Sequence, residues 1–175
     1  MSSLQLIRAV PVTSGVTAFS IDNCFNTGTY LKHRIVIKGV YQSSDVQNFI
    51  NGIRLIDNSG SVITGNEYNI ATHTTATYQN YSDEKSTGVD YWDLANYADQ
   101  LSEGQTSSVV EIFNANVAEF TMMTCQSMGG NSDGKLGGHG TGVHRVAEII
   151  RGFQLYESTG ANTFGGGSIA VYGVR

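Results

Sequence analysis

Two histidines five residues apart bracket the run His139-Gly140-Thr141-Gly142-Val143-His144. Structural zinc sites use histidines at such a spacing, together with two further Cys or His ligands. The other histidines and cysteines, His33, His73, Cys24 and Cys125, are distant in sequence. The expectation is therefore two ordinary histidines, two free buried thiols, no metal and no cofactor. Asn131-Ser132-Asp133-Gly134 resembles the start of a calcium loop. It lacks the later acidic residues and the distal glutamate that complete one, and Asn, Asp and Gly are turn formers in their own right. Asp83, Glu84, Asp90 and Asp93 gather around Tyr91-Trp92. Paired carboxylates act as acid and base in glycosidases; acidic residues in a solvated loop do no chemistry, and that is the reading taken. No complete Walker loop (G-x-x-x-x-G-K-[ST]) or G-x-G-x-x-G dinucleotide fingerprint is present. The alternating glycines at 138, 140 and 142 match no phosphate-cradling spacing. The chain is expected not to be an enzyme.

The stronger binding candidates are aromatic. Tyr78, Tyr81, Tyr91, Trp92 and Tyr97 lie in or beside one irregular stretch. Exposed aromatics with nearby Asn and Asp make sugar-stacking or protein-contact surfaces. The same side chains can instead plug one end of a β-sandwich. These five are the candidate partner or glycan contacts.

The elements that must position them are strands. Alternation of unlike side chains, the mark of a strand with two faces, is clearest over 30–41. There Leu31, His33, Ile35 and Ile37 share one face, and Lys32, Arg34, Val36 and Lys38 the other. It recurs over 16–22, 107–114, 117–128, 150–158 and 168–174. Asn58-Ser59-Gly60 reads as a turn between strands 52–57 and 61–64. Residues 1–11, broken by Pro11, read as an edge strand or an anchoring arm. Residues 79–106 read as an irregular insertion, with a short helix or an aromatic-packed loop over 91–98. Residues 129–142 hold seven glycines and read as a long loop. The count is eight to ten short strands without helix–strand alternation. That pattern predicts one all-β domain over 1–175, an antiparallel, jelly-roll-like β-sandwich.

Composition agrees. Charged residues make up 14% of the 175 and the net charge is −5, which argues against a nucleic-acid binder needing a basic stripe. Lys32, Arg34 and Lys38 form one small basic patch, read as a solvated face. The N-terminal residues lack the 7–15-residue apolar core of a signal peptide, and no apolar run approaches the ~20 residues that span a bilayer. The expectation is synthesis in a host cytoplasm and no membrane insertion.

One stretch carries a family resemblance. Gly152, Phe153, Gln154, Tyr156 and Gly160, followed by Gly167, Ile169, Val171, Tyr172 and Gly173, resemble the C-terminus of small β-sandwich virion proteins of tailed bacteriophages. Upstream, Asp22 and Phe25, then Tyr30, Ile35-Val36-Ile37, Ile53-Arg54-Leu55 and Tyr68 follow the first half of those domains in order; residues 79–106 have no counterpart. The resemblance implies a structural protein of the virion exterior, a head-decoration protein binding capsid subunits and assembling as a homo-oligomer such as a trimer. A tail-fibre or tail-tip component binding host-surface glycan is the alternative, and a polysaccharide hydrolase is a third reading.

Overall fold

The computed structural model describes residues 3–25, 28–43, 49–77, 82–98, 105–131, 134–158, 160 and 162–175, with the side chains of 49–51, 95–98 and 131 left aside. Among the described residues there are twelve strands: β1 (Leu4–Pro11), β2 (Ala18–Ile21), β3 (Lys32–Gln42), β4 (Phe49–Asp57), β5 (Tyr68–Ala76), β6 (Ser82–Val89), β7 (Trp92–Ala98), β8 (Thr106–Phe113), β9 (Glu119–Asn131), β10 (Gly134–Glu148), β11 (Ile150–Glu157) and β12 (Phe164–Val174).

Eight of these strands nest from the ends of the chain inward. β1 pairs with β12, β2 with β11, β3 with β8 and β4 with β7, all antiparallel. Such a long hairpin, rolled into two facing sheets, is a jelly roll. One sheet runs β1-β12-β3-β8 and the other β2-β11-β4-β7. Two inserted hairpins, β5–β6 and β9–β10, join through β10–β5 and hang on β8 through β9. The first sheet thus grows to eight strands, and this four-stranded annex accounts for the excess over the eight to ten expected. A single parallel bridge, Ala98 to Gly130, links β7 to β9.

The alternation read from the sequence sets the core. His33, Ile35 and Ile37 of β3 are buried, while Lys32 and Arg34 face outward and pair with Glu111 of β8 at 2.9 and 2.5 Å. Leu31 lies before the strand and is exposed. On β9 the inward face is Thr121, Met123, Cys125 and Ser127. Ile35, Val110, Ile112 and Val171 from one sheet join Ile53, Leu55, Trp92 and Phe153 from the other in one cluster. Cys24 and Cys125 are free and buried in it.

Two sequence expectations need correction. The glycine-rich stretch 129–142 is not a loop: it is the end of β9 and most of β10, with only 132–133 of the link outside the described residues. Gly138, Gly140 and Gly142 share one face of β10, and at 140 and 142 a side chain would meet neighbouring β5 and the Trp92 ring of β7 in the opposite sheet. At Gly142 an added Cβ would stand 2.5 Å from the Trp92 ring, and at Gly140 it would stand 2.9 Å from the Thr72 methyl. Residues 79–106 are not irregular throughout, nor is 91–98 helical. They contain β6 and β7, and β7 is a strand of the jelly roll that buries Trp92 and Leu94 completely. Of the two readings of the N-terminal segment, edge strand or anchoring arm, residues 4–11 form the edge strand β1, hydrogen-bonded along β12 with a register slip between Leu6 and Arg8. The turn at 58–60 is present, with Gly60 at φ 94°. Residues 61–64 that follow it make only an isolated bridge, Ile56 to Val62.

Candidate functional site

The cross-strand register of the annex places side chains in rows across its outer face. One row is Phe113, Met122, Val143, Asn69 and Thr87, from β8, β9, β10, β5 and β6 in turn. The next is Glu111, Thr124, Thr141, Ala71 and Lys85. The third is Val109, Gln126, His139, His73 and Asp83. The face therefore grades from apolar to ionisable over three rows, about 14 Å at the rise of a strand.

Two contiguous depressions occupy it. The first, about 580 Å³, lies over the Phe113–Met122–Val143 row with Lys85 at its rim. The second, about 420 Å³, is lined by His73, Asp83, Lys85 and His139. They share Ala71, Thr141 and Lys85. The small residues Ala71 and Thr141 form the floor, and the larger side chains of the flanking rows form the walls. Met122 is 46% exposed and Met128, further along β9, is 68% exposed. Flexible thioethers and an aromatic edge on an open sheet face suit contact with another macromolecule. At the polar end the His73 ring donates from Nδ1 to Asp83 at 2.5 Å, and its centroid lies 5.2 Å from that of His139. The arrangement offers apolar area and hydrogen-bonding groups side by side.

The aromatic candidates fare differently. Trp92 is fully buried against Gly142 and the Tyr68 ring, 5.5 Å away edge-on, so it is a plug of the sandwich and contacts neither partner nor glycan. Tyr91 is half-buried and packs edge-on to Tyr156, with ring centroids 6.1 Å apart. Burial and neighbouring carboxylates, chiefly Asp93, raise its phenol pKa. Tyr78, Tyr81 and the side chain of Tyr97 lie outside the described residues. The acidic residues near Trp92 are also dispersed. Asp83 binds His73, Asp90 binds the guanidinium of Arg54, and Asp93 is buried within β7.

The two histidines of the opening motif diverge. His139 points outward into the His73 row, whereas His144 is fully buried on the inner side. Five residues along a strand reverse the face, so this pair was never able to share an ion. Sequence reasoning missed the Phe113–Met122–Val143 row because it is assembled from three strands. The alternation of Met122 and Met123 was visible, but not which of them turned outward.

No protein-family model and no curated protein matches the sequence. Among solved structures, the chain is similar to NanB determined with Optactamide at 10% identity and a TM-score of 0.35, covering 95% of this chain and 26% of that one. It is similar to the CBM40 of Ruminococcus gnavus IT-sialidase bound to α2,3-sialyllactose at 10% identity and a TM-score of 0.30, covering 98% and 90% of the two chains. It is also similar to the infectious bursal disease virus Gx strain structure at 14% identity and a TM-score of 0.21, covering 99% and 38%. The chain thus spans about a quarter of the length of the first, and at these scores none of the three bears on function.

Proposed function

We propose that the chain is a non-enzymatic structural protein of the exterior of a tailed phage particle, a head-decoration protein that docks on neighbouring capsid subunits through the apolar end of the annex face. One observation carries the docking surface: the outward row Phe113–Met122–Val143 beside a trough of about 580 Å³. Apolar area on an otherwise polar sheet face stabilises an interface when it is covered, by about 25 cal/mol per Å². The virion setting is supported by the closing Gly152-to-Gly173 pattern, which falls on β11 and β12, one strand of each sheet. Association into a homo-oligomer, a trimer in the simplest case, belongs to the same reading.

A tail-fibre role in binding host glycan is the second reading, and the polar depression favours it. His73, Asp83, Lys85 and His139 supply donors and acceptors in a shallow open groove. Immunogold labelling of intact source particles with antibody against this chain tests the proposal. Gold over the head supports decoration, and gold confined to the tail favours the glycan reading. An absence of label on every particle, with the protein present in the lysate, overturns both.

A further inference from the structure

On the inner side of the annex, three potential ligands from two segments converge. His144 Nε2 lies 3.0 Å from Glu67 Oε2 and 3.7 Å from Glu148 Oε1. The three ligand atoms all lie within 4.8 Å of one another, the one such set among the described residues. Ligands at about 2.0–2.2 Å from a tetrahedral ion stand about 3.4 Å apart, so these separations bracket that value.

The convergence is produced by a backbone irregularity. Two residues four apart on a regular strand are about 13 Å apart, yet His144 and Glu148 nearly touch. Val143 lies opposite Met122 and Ala147 opposite Phe120, so four steps along β10 match two along β9. This wide bulge folds Glu148 back toward the imidazole. Bulges re-aim side chains in this way beside functional sites. Glu67 enters from the residue before β5, held by Arg145 N–H donating to its carbonyl at 2.9 Å.

The charge balance calls for a cation. His144 is fully buried, and the two carboxylates are part-buried. The ion pairs of both carboxylates, among the described residues, run to His144 alone. Asp57 lies nearby as a third carboxylate. Arg145, adjacent in sequence, spends its guanidinium on the carbonyl of Asn66 at 2.6 Å. One imidazolium offsets one carboxylate at most, whereas a divalent ion offsets both.

We propose that Glu67, His144 and Glu148 form a site for one divalent transition-metal ion, zinc in the first instance, that ties the start of β5 to the bulge of β10. One nitrogen and two carboxylate ligands suit zinc or manganese better than magnesium. The partial exposure of both glutamates leaves the remaining coordination position open to solvent. A zinc-bound Nε2 puts the imidazole proton on Nδ1, which is buried without a hydrogen-bond acceptor. Metal-ligating histidines ordinarily donate that proton, and losing the acceptor weakens affinity by roughly 10–100-fold. The site is therefore an exchangeable one.

The test uses the full chain, stripped with chelator and titrated with zinc chloride by calorimetry and by thermal melting. The expected result is one ion per chain and a melting temperature that rises with zinc. Glu67→Gln and Glu148→Gln, both on part-exposed side chains that leave the buried imidazole in place, are expected to weaken binding at least tenfold. His139→Asn, on the outer face, is expected to leave it unchanged. Equal zinc binding by wild type and Glu148→Gln, loss of binding in His139→Asn, or no binding by the wild type at millimolar zinc overturns the assignment.

Discussion

Gly142 of β10 lies directly beneath the indole of Trp92 of β7, so close that a Cβ on residue 142 would stand 2.5 Å from the Trp92 Cδ1 atom and 2.6 Å from its Nε1. The two residues belong to opposite sheets, and their contact fixes how near the annex approaches the jelly roll. Gly142→Ala is expected to destabilise the protein by about 1–3 kcal/mol, the range for overpacking a filled core. Trp92→Leu removes the obstructing ring and costs about 3 kcal/mol or more on its own. In the double variant the alanine penalty should shrink toward zero. Urea melts of the four proteins measure this, and simple additivity of the two losses would show that residues 142 and 92 do not share a constraint.

His33 places a titratable ring in the core. It is buried between Phe25, 4.8 Å away by ring centroid, and Tyr30 at 5.8 Å, and desolvation lowers its pKa to about 4. The unfolded chain takes up this proton near the ordinary value of about 6.5. Between the two values the unfolded state binds more protons, so stability falls as pH drops from about 6.5 to 4 and is unaffected by this group above that window. The loss approaches ~3 kcal/mol by pH 4 at ~1.4 kcal/mol per unit. His33→Phe should flatten this part of the stability profile in denaturant melts taken from pH 4 to 8, while an unchanged profile would assign the loss to other groups.

Both thiols are shielded. Burial pushes Cys24 and Cys125 up to about 12, so neither carries appreciable thiolate at pH 8. A disulfide reagent such as DTNB is expected to label neither in the native protein within minutes and both after addition of guanidinium. Rapid native labelling would mean that the β9 face opens readily.

The proposed docking surface has its own test. Met122→Asp puts a charge in the middle of the apolar row. Because Met122 is 46% exposed, the melting temperature should move little, as is usual for exposed substitutions. Binding to particles lacking the protein, and self-association followed by light scattering, should fall by tenfold or more. Retention of both activities would remove the Phe113–Met122–Val143 row from the interface.

Arg54 anchors the β7 turn. Its guanidinium pairs with the Asp90 carboxylate, donates to the Asp90 carbonyl at 3.1 Å and stacks 3.6 Å from the centre of the Tyr156 ring. A lysine matches neither the fork nor the stacking plane. Arg54→Lys is expected to cost about 1–2 kcal/mol in urea melts, from the lost charge-assisted bonds and stacking, and a neutral result would make the cluster incidental.

How much of this was legible in the residues themselves follows from the range of the interactions. Period-2 alternation is a local property, so the faces of β3, the existence of β8, β11 and β12, and the all-β class could all be read from neighbouring side chains. That Cys24 and Cys125 are free and buried was read instead from their wide separation and the lack of a metal-ligand spacing. β10 was not legible, because three successive inward residues, Gly138, Gly140 and Gly142, are glycines, and a run with no side chains on one face looks like a loop until Trp92 is known to cover Gly142. β7 was misread as helix or loop because the alternation of Trp92-Asp93-Leu94 breaks at Ala95-Asn96-Tyr97-Ala98, where no period-2 pattern continues.

The candidate sites depended on tertiary structure altogether. Phe113, Met122 and Val143 become neighbours only through two antiparallel registers, and a slip of one residue in either would turn Met122 inward and Met123 outward. Glu67 meets His144 from 77 residues away, and Glu148 joins them only because the ladder slips between Val143 and Ala147. Composition and alternation determined that this chain folds as strands and which strands have an apolar side. Pairing register and one bulge, both set by contacts between segments far apart in the chain, decided which side chains share a surface.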